Sequence, residues 1–255
     1  MKVAVVFFGF WRTFPYVQET FRQYVMEPLD ADIFFSSPKT MFALTQNEVP
    51  EWHYFHSASE RLVENDIVEF FGSKLKSYEL WEHNADVYKH DISLHGVGER
   101  DFANQHTFRM ASQLHSRELS INLFERYVKQ HNVRYDMVIM ARGDVKYYTY
   151  FDIGSIDLGK INYPTHCWTN GNLGILHPSS CPSDKLHKAF NDQMLVGSQD
   201  NMLAYTNIYS KSFEYAKEGI HYNTETLLGH HLYKSNIDWA GSNFIEYELW
   251  RHEKY

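Results

Sequence analysis

The sequence predicts an α/β fold with a central, mostly parallel sheet flanked by helices. Three observations carry this reading. Val3–Phe8 is apolar at every position, as a strand covered on both faces must be. Tyr135 to Ala141 is a second strongly apolar run. Around them, helical spacings alternate with short apolar runs, and alternation of strand and helix builds parallel sheets.

The elements follow in order. Gly9 breaks the first strand. Thr13 can cap a helix with Pro15 in its first turn, where a missing N–H costs nothing, and Pro28 follows its expected end near Met26. Ile33-Phe34-Phe35-Ser36 is the next short strand, completing a right-handed βαβ unit. Residues 39–52 are irregular. Ser57 to Glu60 has capping-box spacing, and Leu62, Val63, Ile67, Phe70 and Phe71 form the stripe of a helix that Gly72 stops. Tyr78 to Trp81 is a further strand, and 82–104, with His90, His95, Gly96 and Gly98, is expected to be a long loop.

From Thr107 to Lys129, Met110, Leu114, Ile121, Phe124 and Val128 recur at three- to four-residue steps with one gap of seven, which predicts a helix. The apolar run at 135–141 ends at Arg142-Gly143-Asp144. Strands are expected at 161–163 and 194–196, helices at about 199–216 and 224–234, and a last strand at 244–247. No repeat, low-complexity tract or linker divides residues 1–255, so a single domain is expected.

Composition narrows the function classes. The 255 residues include 18 Phe, 18 Tyr and 6 Trp, enough for a large core and against disorder. The formal charge of −8 gives no bulk attraction for nucleic acid or anionic membrane, so only a local cluster of arginines can bind phosphates. Cys167 and Cys181 make no disulfide framework. The N-terminus lacks a basic region and a cleavage site, and no run is long enough to span a membrane, so a soluble cytoplasmic protein is expected. Motifs for a P-loop, a dinucleotide fingerprint, a nucleophile elbow and a zinc site are absent from the sequence.

The informative site is the end of the second apolar strand, since open α/β sheets bind ligands at the carboxyl ends of their strands. There Asp144 offers a hard oxygen to Mg²⁺ or Mn²⁺, Arg142 a bidentate donor to phosphate, and Gly143 a close backbone approach. Arg12, in the turn after the first strand, is a second candidate anion contact. Arg109 and Gln113, four apart, share one helix face near a helix start, which favours anions. Glu225 lies in the first turn of a helix, where an acid is favourable in any case.

Four segments in this order carry a resemblance: Phe8-Gly9-Phe10-Trp11-Arg12-Thr13, Arg109-Met110-Ala111-Ser112-Gln113, Tyr135 to Ile139 leading into Arg142-Gly143-Asp144, and Asn191 to Ser198. Through them most of the chain resembles GT-A fold glycosyltransferases. It is similar to viral and bacterial polysaccharide-type enzymes, including WavE-like lipopolysaccharide synthesis proteins. Arg142-Gly143-Asp144 looks like a variant of the family's Asp-x-Asp motif with Arg142 in place of the first Asp, which removes one usual ribose or metal contact. The resemblance implies a GT-A-like fold and transfer of a hexosyl or pentosyl group from a UDP- or GDP-sugar to a glycan or other hydroxyl acceptor. It implies a donor site at Gly9, Arg12, Arg109, Gln113, Arg142 and Gly143, and Mn²⁺ or Mg²⁺ on Asp144. For a viral chain the location would be the host cytoplasm.

Such a transferase needs a carboxylate to deprotonate the acceptor, with Asp192 the first candidate and Glu225 the second. The acceptor would approach from 165–175. Trp11, Tyr147, Tyr148 and Trp168 are candidate sugar-stacking rings, and His231 is a candidate additional metal ligand. A non-catalytic, lectin-like carbohydrate-binding protein is the alternative, and a glycoside hydrolase using two carboxylates is a third.

Overall fold

The computed structural model describes residues 1–11, 14–39, 64–97, 107–169, 172–175 and 192–249, with the backbone alone for 166–169 and 172–175. Arg12, Thr13, the Ser57 capping box and residues 176–191 lie outside that set.

The first strand, β1 (Val3–Phe8), is buried at all six positions. Beside it in parallel runs β2 (Asp32–Pro38), and beyond that, also parallel, β3 (Leu75–Trp81). On the other side of β1 lies the parallel strand β4 (Met137–Arg142). Next comes β9 (Met194–Gly197), antiparallel to β4, and then β6 (Ile161–Pro164) and β10 (Trp239–Ser242), which run parallel to each other. The seven-stranded order is β10-β6-β9-β4-β1-β2-β3, and only β9 runs against the rest. The expected α/β class with a central, mostly parallel sheet and flanking helices is therefore the observed one.

The strands' alternation sorts the core into two layers. Val3, Val5 and Phe7 join one cluster with Phe14, Phe21, Phe35 and Phe71. Its cover is α1 (Phe14–Phe21), which continues into a wider helical turn at Arg22–Met26, and α2 (Glu64–Phe71). Ala4, Val6 and Phe8 join the opposite cluster with Leu114, Phe124, Leu195 and Leu228. Its cover is α4 (Thr107–His131), α6 (Ile208–Lys217) and α7 (Thr224–Lys234). Phe7 alone meets Phe14, Phe21, Phe35 and Phe71 with ring centroids 4.9–6.4 Å apart. That explains much of the aromatic content: offset and edge-on rings fill the layer beneath the parallel strands.

Three features differ from the sequence-based expectation. The expected loop at 82–104 contains a helix, α3 (Ala85–Leu94), capped by the Asn84 side chain accepting from the Asp86 amide at 3.0 Å. It carries no apolar stripe, since only Tyr88 is buried, so periodicity did not reveal it. The expected helix at 199–216 is divided into α5 (Gln199–Met202), a 3₁₀ stretch at Leu203–Asn207, and α6. The last strand, β11 (Tyr247–Leu249), starts where the expected one ends. It belongs to a second, four-stranded sheet with β5 (Val145–Tyr147), β7 (His166–Thr169) and β8 (Asn172–Ile175), in the order β5-β11-β7-β8.

Candidate active site

The strand order has a topological switch point beside β1. The chain winds outward from β1 through β2 to β3, then returns to β4 on β1's other flank. Successive connections therefore diverge between β1 and β4, and in open α/β sheets ligands bind beyond the carboxyl ends of strands at such a switch point. Phe8 of β1 is in register with Arg142 of β4, so Gly9 and the Arg142-Gly143-Asp144 turn emerge side by side.

Each residue there has a local reason. Gly9 has φ +89°, a conformation that favours glycine, and no atom lies within 4 Å of where a Cβ would stand. Its amide donates to Ser116 Oγ on α4 at 2.7 Å. Arg142 grips Asp144 with two parallel bonds, Nε to Oδ1 at 2.7 Å and Nη2 to Oδ2 at 2.5 Å. Burial opposes the charge on Arg142, but the adjacent Asp144 carboxylate outweighs it, with Asp192 adding to the hold. Gly143 packs beside the β1 turn, with a Cβ there 3.4 Å from Trp11 Cε3.

The loop before β9 brings Asp192 to the same place. Gln113 Nε2 donates to Asp192 Oδ2, and Thr224 Oγ1 donates to Gln113 Oε1 at 3.5 Å. One turn further along α4, Arg117 Nη2 donates to the Asp192 carbonyl at 2.5 Å. Glu225 stands in the first turn of α7, whose cap Asn223 accepts from the Glu225 and Thr226 amides at 2.9 and 3.3 Å. Burial, and then the nearby Asp192 carboxylate, push the Glu225 carboxyl up to about 7. A carboxyl so placed takes and releases protons near neutrality, as a general base requires. No protein-family model matches the chain, and no curated relative does either.

The structure thus gathers Gly9, Gln113, Arg142, Gly143, Asp144, Asp192 and Glu225 around one sheet edge. Arg109 lies one turn before Gln113 on the same side of α4, with its guanidinium 5.8 Å from the Phe108 ring. Arg12 lies outside the described residues. Gln113, expected to bind the donor, is engaged with Asp192 and Thr224.

Two candidate stacking rings are corrected. Trp11 and Tyr147 are buried, Trp11 stacked on Phe14 at 3.6 Å and Tyr147 against Phe21 at 6.0 Å. Both belong to the apolar layer and present no face to a sugar. Tyr148 donates its hydroxyl to Glu248 at 2.5 Å, and the Trp168 side chain lies outside what is described.

His231 is corrected too. Its Nε2 meets the Ala204 carbonyl at 2.7 Å, so that nitrogen carries the proton, and Nδ1 accepts from Tyr215 Oη at 2.8 Å. Both nitrogens are used, and burial lowers the ring's proton affinity. Asp144 is the residue that would hold Mn²⁺ or Mg²⁺, which would supply charge neutralisation to a diphosphate. Both its oxygens are engaged by Arg142, and among the described residues no three His, Cys, Asp or Glu side chains converge as a metal site. As they stand, these residues do not fit a preformed cation site.

The residue that sequence reading missed is Arg117. It is fully buried, with its guanidinium 4.0 Å over the Phe8 ring and Nη1 3.6 Å from Met140 Sδ. Burial draws its proton affinity down to about 10. The signal was present: Arg117 falls inside the seven-residue gap between Leu114 and Ile121, where a helix facing a core would place another apolar residue.

A separate groove of 560 Å³ lies along α6 and α7, lined by Lys211, Glu214, Glu218 and Lys234 among others. Lys211 pairs with Glu214 at 2.7 Å and Lys234 with Glu218 at 3.0 Å, so its charges are balanced. Among the described residues no helix is long and apolar enough to cross a membrane.

Proposed function

We propose that the crevice at the β1–β4 switch binds a UDP- or GDP-sugar and transfers its sugar to a hydroxyl of a glycan or similar acceptor, on a GT-A-like fold. The observation that carries the reading is the meeting of the Arg142–Asp144 turn with the Asp192–Glu225 carboxylates at that edge. A diphosphate donor needs cationic donors, and an attacking hydroxyl needs a proton acceptor. Both kinds of group stand there.

In this mechanism the acceptor oxygen attacks the anomeric carbon while Glu225 takes its proton. The bond from that carbon to the diphosphate oxygen breaks, and its electron pair leaves with the nucleoside diphosphate. Arg142 turns from Asp144 to the diphosphate and meets the charge that develops there. Asp192, held by Gln113 and Arg117, keeps Glu225 a good base by making a second negative charge costly. This reverses the order of the two carboxylates expected from sequence.

The test is release of UDP or GDP from a panel of nucleotide sugars, with and without glycan acceptors and with Mn²⁺ or EDTA present. Glu225→Gln should lower the rate by about 10²-fold or more while leaving the thermal midpoint at least as high. An unchanged rate in that variant removes Glu225 from the role. No turnover of any nucleotide sugar removes the reading itself.

A further inference from the structure

Arg117 is an anomaly in energetic terms. Its side chain is fully buried, its Nε has no hydrogen-bond partner, and it forms no ion pair among the described residues. A buried cation without a paired anion is costly, and an apolar side chain of similar size commonly serves stability as well or better. Stability alone therefore does not account for an arginine there.

Its surroundings do. One guanidinium nitrogen donates to the Asp192 carbonyl, while Gln113, four residues earlier on the same face of α4, donates to the Asp192 carboxylate. The two side chains grip a single residue at both of its polar ends. The ring of Phe8, the last residue of β1, lies beneath the guanidinium and supports it from the sheet side. The charged groups acting on Arg117 come from three elements: Asp192 before β9, Glu225 on α7 and Arg142 on β4. Asp192, Arg117 and the cap Asn223 act in turn on Glu225.

We propose that Arg117 is a positioning residue. It locks Asp192 against α4 and supplies the fixed positive charge that lets Asp192 and Glu225 coexist as one proton-handling pair. The proposal rests on the reading of that pair as the site's acid–base group, and it can be tested without any substrate.

The experiment is a pH titration of the Glu225 side-chain carboxyl by NMR, on ¹³C-glutamate-labelled full-length protein assigned with Glu225→Gln. Arg117→Met should move the Glu225 midpoint upward by about one pH unit or more, since the neighbouring carboxylate then acts without its counter-charge. Arg117→Lys, which keeps the charge, should restore most of the difference. A merely structural arginine would lower the thermal midpoint in Arg117→Met and leave the titration where it was, and that result overturns the proposal. Should Arg117→Met fail to fold, Arg117→Gln keeps a donor for the Asp192 carbonyl and removes the charge, and the same upward movement is required of it. Because no nucleotide is present, an unmoved midpoint counts against Arg117 alone. Absence of sugar transfer counts against the reading of the site and leaves the titration intact.

Discussion

A buried carboxyl that holds its proton into the neutral range leaves a signature in stability. In the folded protein Glu225 is raised to about 7 from its ordinary 4.5, by burial first and then by Asp192. Between those values the folded state binds more protons than the unfolded one. The Glu225 contribution is therefore fully present below about 4.5 and is lost as pH rises through about 7. Thermal midpoints measured across that window should fall less steeply with rising pH in Glu225→Gln than in the natural protein, and identical slopes would contradict the assignment. Gly9 gives a second residue-scale prediction. With φ +89° and open space around the missing Cβ, Gly9→Ala should cost about 1–2 kcal/mol by backbone strain alone, read as a lower urea midpoint at constant slope. Sequence reading singled out Gly9, Arg142, Asp144 and Glu225 because turns, strand ends and helix starts are marked locally. It placed Trp11 and Tyr147 at a sugar site because a ring's chemistry is the same whether it lies in a cleft or in a core. Arg117 escaped because its partners, Asp192, Phe8 and Met140, are distant in sequence and meet only when α4 lies across the sheet.

At the scale of elements, legibility followed apolar patterning. β1, β4, α4 and α7 were plain because each buries a continuous run or stripe. The helix α3 was not, because it is held by a cap and by one buried ring whose hydroxyl meets His115 Nδ1 at 2.9 Å. Asn84→Ala should accordingly cost about 1 kcal/mol in urea unfolding, a large part of that helix's local hold. No change would mean that the cap is idle. β10 and the second sheet were missed for a related reason. Their strands are three or four residues long, and a Cβ at Gly241 in β10 would stand 2.6 Å from Thr165 Cγ2, so space rather than hydrophobicity sets the residue. Gly241→Ala should destabilise the β10–β6 edge by about 1–3 kcal/mol through that overlap, seen as faster amide exchange in β10 and β6. Unaltered exchange would contradict the packing described.

At the scale of the molecule, an acidic chain of net charge −8 has to concentrate positive groups in order to hold a diphosphate. Alternation along β1 sends Val3, Val5 and Phe7 to one aromatic layer and Ala4, Val6 and Phe8 to the other, which leaves the strands' carboxyl ends as the place where polar groups gather. Arg142 stands there with Asp144, Asp192 and Glu225, and Arg117 lies buried beneath them, at the edge where the strand order reverses. The measurement that tests this account most directly is calorimetric titration of UDP and GDP into the full-length protein and into Arg142→Gln, in Mn²⁺ and again in EDTA. The account predicts saturable one-to-one binding of at least one of the two nucleotides to the natural protein, weakened about tenfold or more in Arg142→Gln, as expected for loss of a charge-assisted phosphate contact of about 1.5–3 kcal/mol. Binding of free glycan with no response to either nucleotide, or nucleotide binding that Arg142→Gln leaves unchanged, would contradict it.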